Sequence, residues 1–238
     1  MKFLLFNLLL LSAVVFAEVP QQNKIINDAW YTMQTGSLPW GYYHEVIEER
    51  AGRLSYRYDM KKKEKGGEYH ENIGALSELD LTPIAFNLSK KGQGATETIN
   101  GNYQKEKNVG VMNIEIQGAR VGRFKRYLSK DTILEVFFPL WLKQHWLKLK
   151  PGFKSSIKIL AEDPTSNSFL PKTARFEILK TDTKENCLEL KVELDTIKSL
   201  WCITNNGALV RMDIKDHQVQ VRKVASEKDA KIFFGEKP

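Results

Sequence analysis

Histidine is the side chain that most often serves as a metal ligand or a general base near neutral pH. The chain has four, none with a histidine or cysteine partner at the spacing of a metal site, and it contains no HExxH sequence. They are His44, His70, His145 and His217. His217 lies near Asp213 and Asp216, but a turn at 215–218 accounts for these two acids. We therefore expect no metal site.

One histidine has acids around it that could form a general acid/base cluster. His44 is followed by Glu45, Glu48 and Glu49. If this segment is a strand, His44 and Glu48 share one face while Glu45 and Glu49 share the other, because side chains alternate. The four groups then do not converge, and a solvated strand edge is the preferred interpretation.

Other nucleophile and phosphate motifs are absent from the sequence. No G-x-S-x-G nucleophile elbow occurs, and Gly92-Gln93-Gly94 is a pair of glycines with no helix signal after it. We therefore predict no catalytic residue, no cofactor and a protein that is not an enzyme. A hydrolase that brings two carboxylates together from separate strands is the alternative that the sequence leaves open.

Cys187 and Cys202 are the chain's two cysteines, and an oxidising compartment would allow them to form a disulfide. Both lie in alternating, strand-like sequence with no histidine nearby along the chain, which argues against a nucleophile. If Val192 pairs with Ile197 across a turn, the two cysteines face each other. A tighter turn is expected to offset them too far for a bridge. The sequence alone therefore leaves bridged and free cysteines open.

The elements that must position these residues are mostly β-strands. From 54 to 60, apolar and aromatic residues alternate with polar ones, which is the period of a half-buried strand. Similar stretches occupy 97–103, 109–117 and 121–128, and Asn205-Asn206-Gly207 separates two more, a strong hairpin signal. We predict a mainly β fold: an antiparallel curved sheet, as a half-barrel or open barrel, with one short packed α-helix.

The segment 139–149 (PLWLKQHWLKL) has helical periodicity instead. Leu142, Trp146 and Leu149 fall on one side. Pro139 stands at the start and a Pro-Gly pair follows the end, so we predict a helix of about three turns. It is too short to span a bilayer. It either packs into the concave face of the sheet, the commoner arrangement for such a stripe, or lies on a membrane surface.

Residues 1–17 have the order of a secretory signal peptide. Met1-Lys2 gives a positive start, an apolar run at 3–14 follows, and Val15-Phe16-Ala17 forms a cleavage site before Glu18. The run is shorter than the roughly 20 apolar residues that span a bilayer. We expect a signal peptide at 1–17 and a single β-rich exported domain at 18–238, with no transmembrane segment after cleavage. Its location would be periplasmic in a Gram-negative bacterium and secreted otherwise.

The chain carries 36 basic and 29 acidic residues, a net charge of +7. An exported protein is not expected to meet nucleic acid, so nucleic acid is not predicted as a partner. The positive charge fits an anionic surface such as lipid headgroups or acidic wall polymers, although solubility alone also explains it. Residues 163–168 indicate an exposed loop. Asn87-Leu88-Ser89 is a glycosylation sequon, relevant if the source organism glycosylates exported proteins.

Several aromatic and glycine positions resemble those of uncharacterised β-rich proteins of bacterial envelopes. They include, in order, Trp30, Gly41-Tyr42-Tyr43, Leu81-Thr82-Pro83, the tryptophan-containing helix, Trp201, Asn206-Gly207 and Leu209-Val210-Arg211. Their order is similar to the curved half-barrel of the periplasmic lipoprotein carriers, in which an unclosed antiparallel sheet wraps around a helix. It is also similar to the β domain that precedes the catalytic domain in some bacterial transglutaminase-like proteins.

The resemblance covers most of residues 29–224 and implies an exported β fold with an apolar ligand. It carries over no catalytic residue, and no segment remains for a catalytic domain. The sequence also departs from the carriers, because they use longer or additional helices to gate their cavity.

The preferred function is therefore a non-enzymatic envelope protein that binds an apolar or amphiphilic ligand, such as a lipid, in the concave face of the sheet. The residues expected to line this site are Trp141, Trp146, Leu142, Tyr56, Tyr58 and Trp201. The same side chains could instead fill a dry core. The alternative function is a scaffold or protein-interaction module that contacts an envelope protein through a sheet edge or its basic face.

Overall fold

The computed structural model describes residues 23–64, 66–162 and 169–236. The expected signal peptide at 1–17 and the expected loop at 163–168 lie outside these residues. Within them the chain forms one sheet of fifteen strands, two α-helices and three short 3-10 turns. Among the described residues, no helix combines the length and the apolar character needed to cross a bilayer.

The strands follow one another along the chain and are joined mostly by tight turns. They are β1 (Lys24–Thr35), β2 (Leu38–Arg50), β3 (Arg53–Glu64), β4 (Gly67–Glu78), β5 (Pro83–Gly92), β6 (Ala95–Glu106), β7 (Val109–Gln117), β8 (Gly122–Leu128), β9 (Thr132–Leu134), β10 (Lys154–Leu160), β11 (Lys172–Asp182), β12 (Cys187–Leu194), β13 (Ile197–Ile203), β14 (Leu209–Ile214) and β15 (Val219–Val224). The helices are α1 (Phe138–Gln144) and α2 (Glu227–Phe234).

The strand order is β8-β7-β6-β5-β4-β3-β2-β1-β15-β14-β13-β12-β11-β10-β9. All pairs are antiparallel except β9 with β10, which are parallel and connected through α1. β1 pairs with β15, with Trp30 opposite Val224, so the first and last described strands meet in the middle of the sheet. We call β1–β8 and β9–β15 the two arms of the sheet. β9 also contacts β5 of the other arm, which shows that the sheet curls into a nearly closed barrel. The predicted mainly β, curved antiparallel fold is therefore confirmed.

Apolar and polar side chains alternate along the strands, which gives the sheet two chemically different sides. In β3, Leu54, Tyr56 and Met60 are buried against the core, while Ser55 and Arg57 lie on the opposite side. We call the side that faces α1 the inner face and the other side the outer face. Because successive side chains alternate, the parity of a residue within a regular strand decides which face it occupies.

Helix α1 packs into the concavity of the sheet through buried Phe138, Leu140 and Leu142. It is shorter than the predicted 139–149 helix. It ends at Gln144, and a ring nitrogen of the next residue, His145, is hydrogen-bonded to the Trp141 carbonyl oxygen at 2.8 Å. A separate 3-10 turn follows at Trp146–Lys148. Packing inward, rather than on a membrane surface, is the arrangement that the structure shows.

Helix α2 was not predicted, so the expectation of one helix was incomplete. The Ser226 hydroxyl caps its first turn by accepting the Asp229 backbone N–H at 3.2 Å, and Gly235 ends it with a φ of 84°. It packs on the outer face through Phe234, whose ring contacts Tyr42 edge-on at 5.3 Å between centroids. Its two turns are too short to produce a clear helical periodicity.

Candidate ligand-binding site

A carboxylate lies on the inner face of β2. Glu45 stands opposite Ala29 of β1 and Tyr58 of β3. The Asn27 side-chain amide donates a hydrogen bond to one Glu45 carboxylate oxygen at 2.5 Å, and the Tyr56 hydroxyl donates to the other at 3.3 Å. Both donors are neutral, and in the described part of the chain Glu45 forms no salt bridge. The carboxylate is thus held by hydrogen bonds without a contacting cation.

Burial raises the pKa of Glu45 from 4.5 to about 7. The hydrogen bonds from Asn27 and Tyr56 oppose this rise, as do the charges of Lys223 and His44 at longer range, so burial is the larger effect. Glu45 nevertheless keeps part of its surface accessible. Near neutral pH the inner face therefore presents a group that exists both as a carboxylate and as a carboxylic acid.

Tyrosine rings surround this carboxylate along neighbouring strands. Tyr31 stacks on Tyr43 with centroids 4.6 Å apart, and Tyr43 lies 4.9 Å from Tyr58. The Tyr31 hydroxyl donates to the Leu209 carbonyl oxygen at 3.1 Å, which ties β1 to the start of β14. Burial also raises the pKa of Tyr43 and Tyr56, so both hydroxyls stay neutral. The Glu45 carboxylate is therefore surrounded by aromatic, uncharged side chains.

A second aromatic group lies around the start of α1. Phe138 meets Phe176 of β11 and Trp201 of β13 edge-on, at centroid distances of 5.8 and 5.6 Å. Phe137, the preceding residue, meets Tyr56 edge-on at 6.1 Å. Two consecutive residues of the chain therefore link the tyrosines of one arm of the sheet to the aromatic rings of the other arm.

The six residues expected to line a ligand site all belong to this interior, although they differ in accessibility. Tyr56 and Leu142 are closed core residues, with 5% and 1% of their surface exposed. The other four are partly accessible and pack against the same core: Tyr58, Trp141, Trp146 and Trp201. Trp201 is fixed by donating its ring N–H to the Ser199 hydroxyl at 2.7 Å. These four are the members of the set that a ligand could reach.

The prediction that His44 and Glu45 lie on opposite faces of a strand is confirmed. His44 lies on the outer face, where it bonds Asp28 at 2.7 Å and stacks on Trp30 at 4.3 Å. The expectation that His44 lies at an edge was wrong, because β2 is an interior strand between β1 and β3. The partners of Glu45 were missed because they come from other strands. The sequence did contain one signal for an interior carboxylate: Glu45 lies between Tyr43 and Ile47, two apolar residues on the same face of the strand.

Cys187 and Cys202 are joined by a disulfide in the structure, with Cα atoms 5.5 Å apart. The pairing is the tighter one, with Leu194 opposite Ile197, which had been expected to prevent a bridge. That expectation was wrong. Cys202 stands opposite Glu189, two residues from Cys187 on the same strand, and residues two apart share a face. The bridge therefore runs diagonally between β12 and β13.

Charged groups surround the disulfide. Arg211 donates to Glu185 at 2.7 Å and to Glu189 at 2.8 Å, and these bonds raise the pKa of Arg211. Within the described ranges, the one cluster of possible metal ligands is Glu185 with the two cysteines. Its sulfur atoms are already used in the disulfide, so this cluster is structural.

Comparison with solved structures supports the fold. The chain is similar to a β-barrel-like protein of a domain of unknown function, DUF1849, from Brucella abortus, at 11% identity and a TM-score of 0.55; the match covers 82% of this chain and 93% of that one. It also matches a DUF1089 family protein from Pseudomonas aeruginosa at 11% identity and a TM-score of 0.42, covering 74% of this chain and 90% of that one. No protein-family model and no curated protein sequence matches the chain. The similarity to the Brucella protein shows that the two chains share a barrel-like fold.

Proposed function

We propose that this protein binds an amphiphilic ligand on the inner face, between α1 and β1–β3. The observation that carries the proposal is Glu45, a residue that keeps part of its surface accessible while its carboxylate is buried and held by neutral donors among aromatic rings. A buried carboxylate without a contacting cation is costly, and a ligand that supplies a positive charge or hydrogen-bond donors would lower that cost. The ligand class that fits is therefore an alkyl or aromatic chain with an amine headgroup.

The partly accessible aromatic residues supply the apolar part of the proposed site. Tyr58 stands directly opposite Glu45, and Trp141 and Trp201 lie in the aromatic group at α1. A few placed polar groups in a mainly aromatic concavity are the usual composition of a small-ligand site. The proposed role is binding without catalysis, which agrees with the lack of a recognisable nucleophile or metal motif in the sequence.

We further propose that the protein acts after export, as the signal-like sequence at 1–17 suggests. A protein-interaction role is the second candidate. One observation favours it: β8 ends the described sheet order, so one of its backbone edges has no strand neighbour among the described residues. Such an edge can accept a strand from a partner.

Native mass spectrometry of the protein from Glu18 onward, purified from its own envelope without detergent, tests the binding proposal. We expect a reproducible added mass that lipid extraction removes. A bare polypeptide mass would argue against a resident ligand and in favour of a protein partner.

A titration with defined probes tests the role of Glu45 directly. At pH 8, dodecylamine should bind the wild type at least tenfold more tightly than the Glu45→Gln variant, because a hydrogen bond to a charged group contributes about 1.5–3 kcal/mol. Dodecanoate, which has a similar chain and the opposite charge, should bind more weakly than dodecylamine. Glu48→Gln, on the outer face of the same strand, is the matched control. Equal dodecylamine affinity for all three proteins would refute the assignment of the headgroup to Glu45.

A further inference from the structure

The outer face of β3–β8 carries two rows of directly paired residues that cross all six strands. The rows are Arg57–Gly74–Asn87–Asn100–Glu115–Arg123 and Ser55–Leu76–Ala85–Asn102–Asn113–Lys125. We call these two rows together the amide trough. It lies on the side of the sheet opposite to Glu45 and α1, so it is independent of the interior site.

The amide trough contains two neighbouring grooves that share lining residues. Each groove has a volume of about 340 Å³, one lies across β3–β6 and one across β6–β8, and both are lined by Asn100 and Asn102. The floor of the trough is low at Gly74 and Ala85, where little or no side chain rises from the sheet. Five strand spacings of 4.7–4.9 Å give it a length of roughly 24 Å. This is the shape of a site for an extended chain molecule.

The asparagines of the trough are not explained by strand formation. Asparagine is depleted in strands, yet four occupy neighbouring positions on β5, β6 and β7. Asn87 donates its side-chain amide to Asn100 at 2.6 Å. Asn102 and Asn113 stand opposite each other, but neither makes a side-chain hydrogen bond within the described chain. The amide groups of these two are therefore available to a ligand.

Charge is confined to the ends of the trough. Arg57 lies at the β3 end. At the β8 end Arg123 is paired with Glu115 at 3.0 Å, and Lys125 is paired with Glu106 at 2.6 Å. The middle of the trough is polar and uncharged, in a protein whose net charge is +7. Electrostatic complementarity at the middle therefore favours a neutral polar ligand over an anion.

We propose that the amide trough binds a neutral oligosaccharide. Each amide side chain both donates and accepts hydrogen bonds, as each sugar hydroxyl does. Tyr127, the next outward residue after Lys125 on β8, is 65% exposed and offers a ring against which the apolar side of a sugar can pack. A neutral glycan chain thus matches the length, the hydrogen-bonding groups and the charge of the trough.

The test is a titration of isotope-labelled protein with chitohexaose, cellohexaose and maltohexaose, followed by NMR of the asparagine side-chain amides. At least one hexasaccharide should shift the amide signals of Asn100, Asn102 and Asn113. The signal of Asn72, an exposed asparagine on the outer face of β4 outside the trough, should stay in place.

A pair of variants makes the test decisive. The Asn102→Ala/Asn113→Ala double variant should bind the active hexasaccharide at least tenfold more weakly, whereas Asn72→Ala should bind it as the wild type does. Thermal unfolding of each variant shows whether the fold is kept. The proposal is overturned if none of the three sugars shifts the trough signals, or if the double variant binds with wild-type affinity.

Discussion

Replacement of Glu45 by glutamine tests whether the interior carboxylate is penalised by its surroundings. Glutamine has the same shape but carries no charge: its oxygen can accept from Asn27, and its NH2 group can donate to the Tyr56 hydroxyl oxygen. Because burial raises the pKa of Glu45 from 4.5 to about 7, the folded protein holds a proton between these values that the unfolded chain has lost. The stability of the wild type must therefore fall as pH rises from about 4.5 to about 7, and the full penalty is present above that range.

The expected size of this penalty follows from the pKa. A rise from 4.5 to about 7 corresponds to roughly 3 kcal/mol of free energy of unfolding. The charges of His44 and Lys223 and the two hydrogen bonds already act against the rise, and the facing hydroxyls of Tyr43 and Tyr56 are neutral. For a domain of this size, 1 kcal/mol shifts Tm by about 2–4 °C. Glu45→Gln should therefore melt about 6–12 °C above the wild type at pH 8 and level with it at pH 4.

The assay is thermal and urea unfolding of both proteins at several pH values between 4 and 8. Glu48→Gln, from the outer face of the same strand, should differ from the wild type by less than about 0.5 kcal/mol throughout. If Glu45→Gln is no more stable than the wild type at pH 8, the carboxylate is not penalised in the folded state. The argument for a ligand that neutralises it would then fail as well.

Three further substitutions test the framework around the site by urea unfolding. Serine at Cys187 and Cys202 removes a bridge between residues 15 positions apart and should cost about 3 kcal/mol. Phe138→Ala leaves a cavity among the aromatic rings at α1 and should cost about 3–5 kcal/mol. Gly207→Ala should cost about 1–3 kcal/mol, because φ is 82° and a Cβ atom would lie 3.1 Å from the Pro139 carbonyl oxygen.

Each of these substitutions has a matched control. Reduction of the wild type should lower its urea midpoint as the serine pair does, and an unchanged midpoint would mean that the bridge does not constrain the chain. Phe138→Leu should recover most of the stability lost in Phe138→Ala. Gly52 also has a positive φ, 73°, but nothing lies within 4 Å of its Cβ position. A loss at Gly207 no larger than that of Gly52→Ala would contradict the close contact with α1.

Much of the fold follows from local alternation in the sequence. The predicted strand at 109–117 coincides with β7, and the strand at 54–60 lies within β3, because residues of period two bury one face and expose the other. The predicted helix at 139–149 was longer than α1 because the apolar stripe continues past His145 into a 3-10 turn. α2 was missed although Ser226 and Gly235 stand at the two positions where caps are expected.

Pairing between strands could not be predicted from the sequence to the same degree. The turn between β12 and β13 shifts the pairing by one position on each strand relative to the register that would place Cys187 opposite Cys202, and a diagonal bridge forms all the same. Likewise, the partners of Glu45 come from β1 and β3 and depend on two separate registers. Each strand is specified locally, whereas a site assembled from three strands depends on how they align.

Parity along the strands explains how one sheet can present two unrelated surfaces. On β3, Tyr56 turns inward to Glu45 while Arg57, its neighbour, turns outward to the end of the amide trough. On β6, Ile99 is fully buried while Asn100 lies in the trough. A shift of one residue in any of these registers would exchange the two sets and place asparagine in the core. The burial that fixes the inner face therefore also fixes the outer amides in place, so a ligand of the trough would meet a preorganised surface.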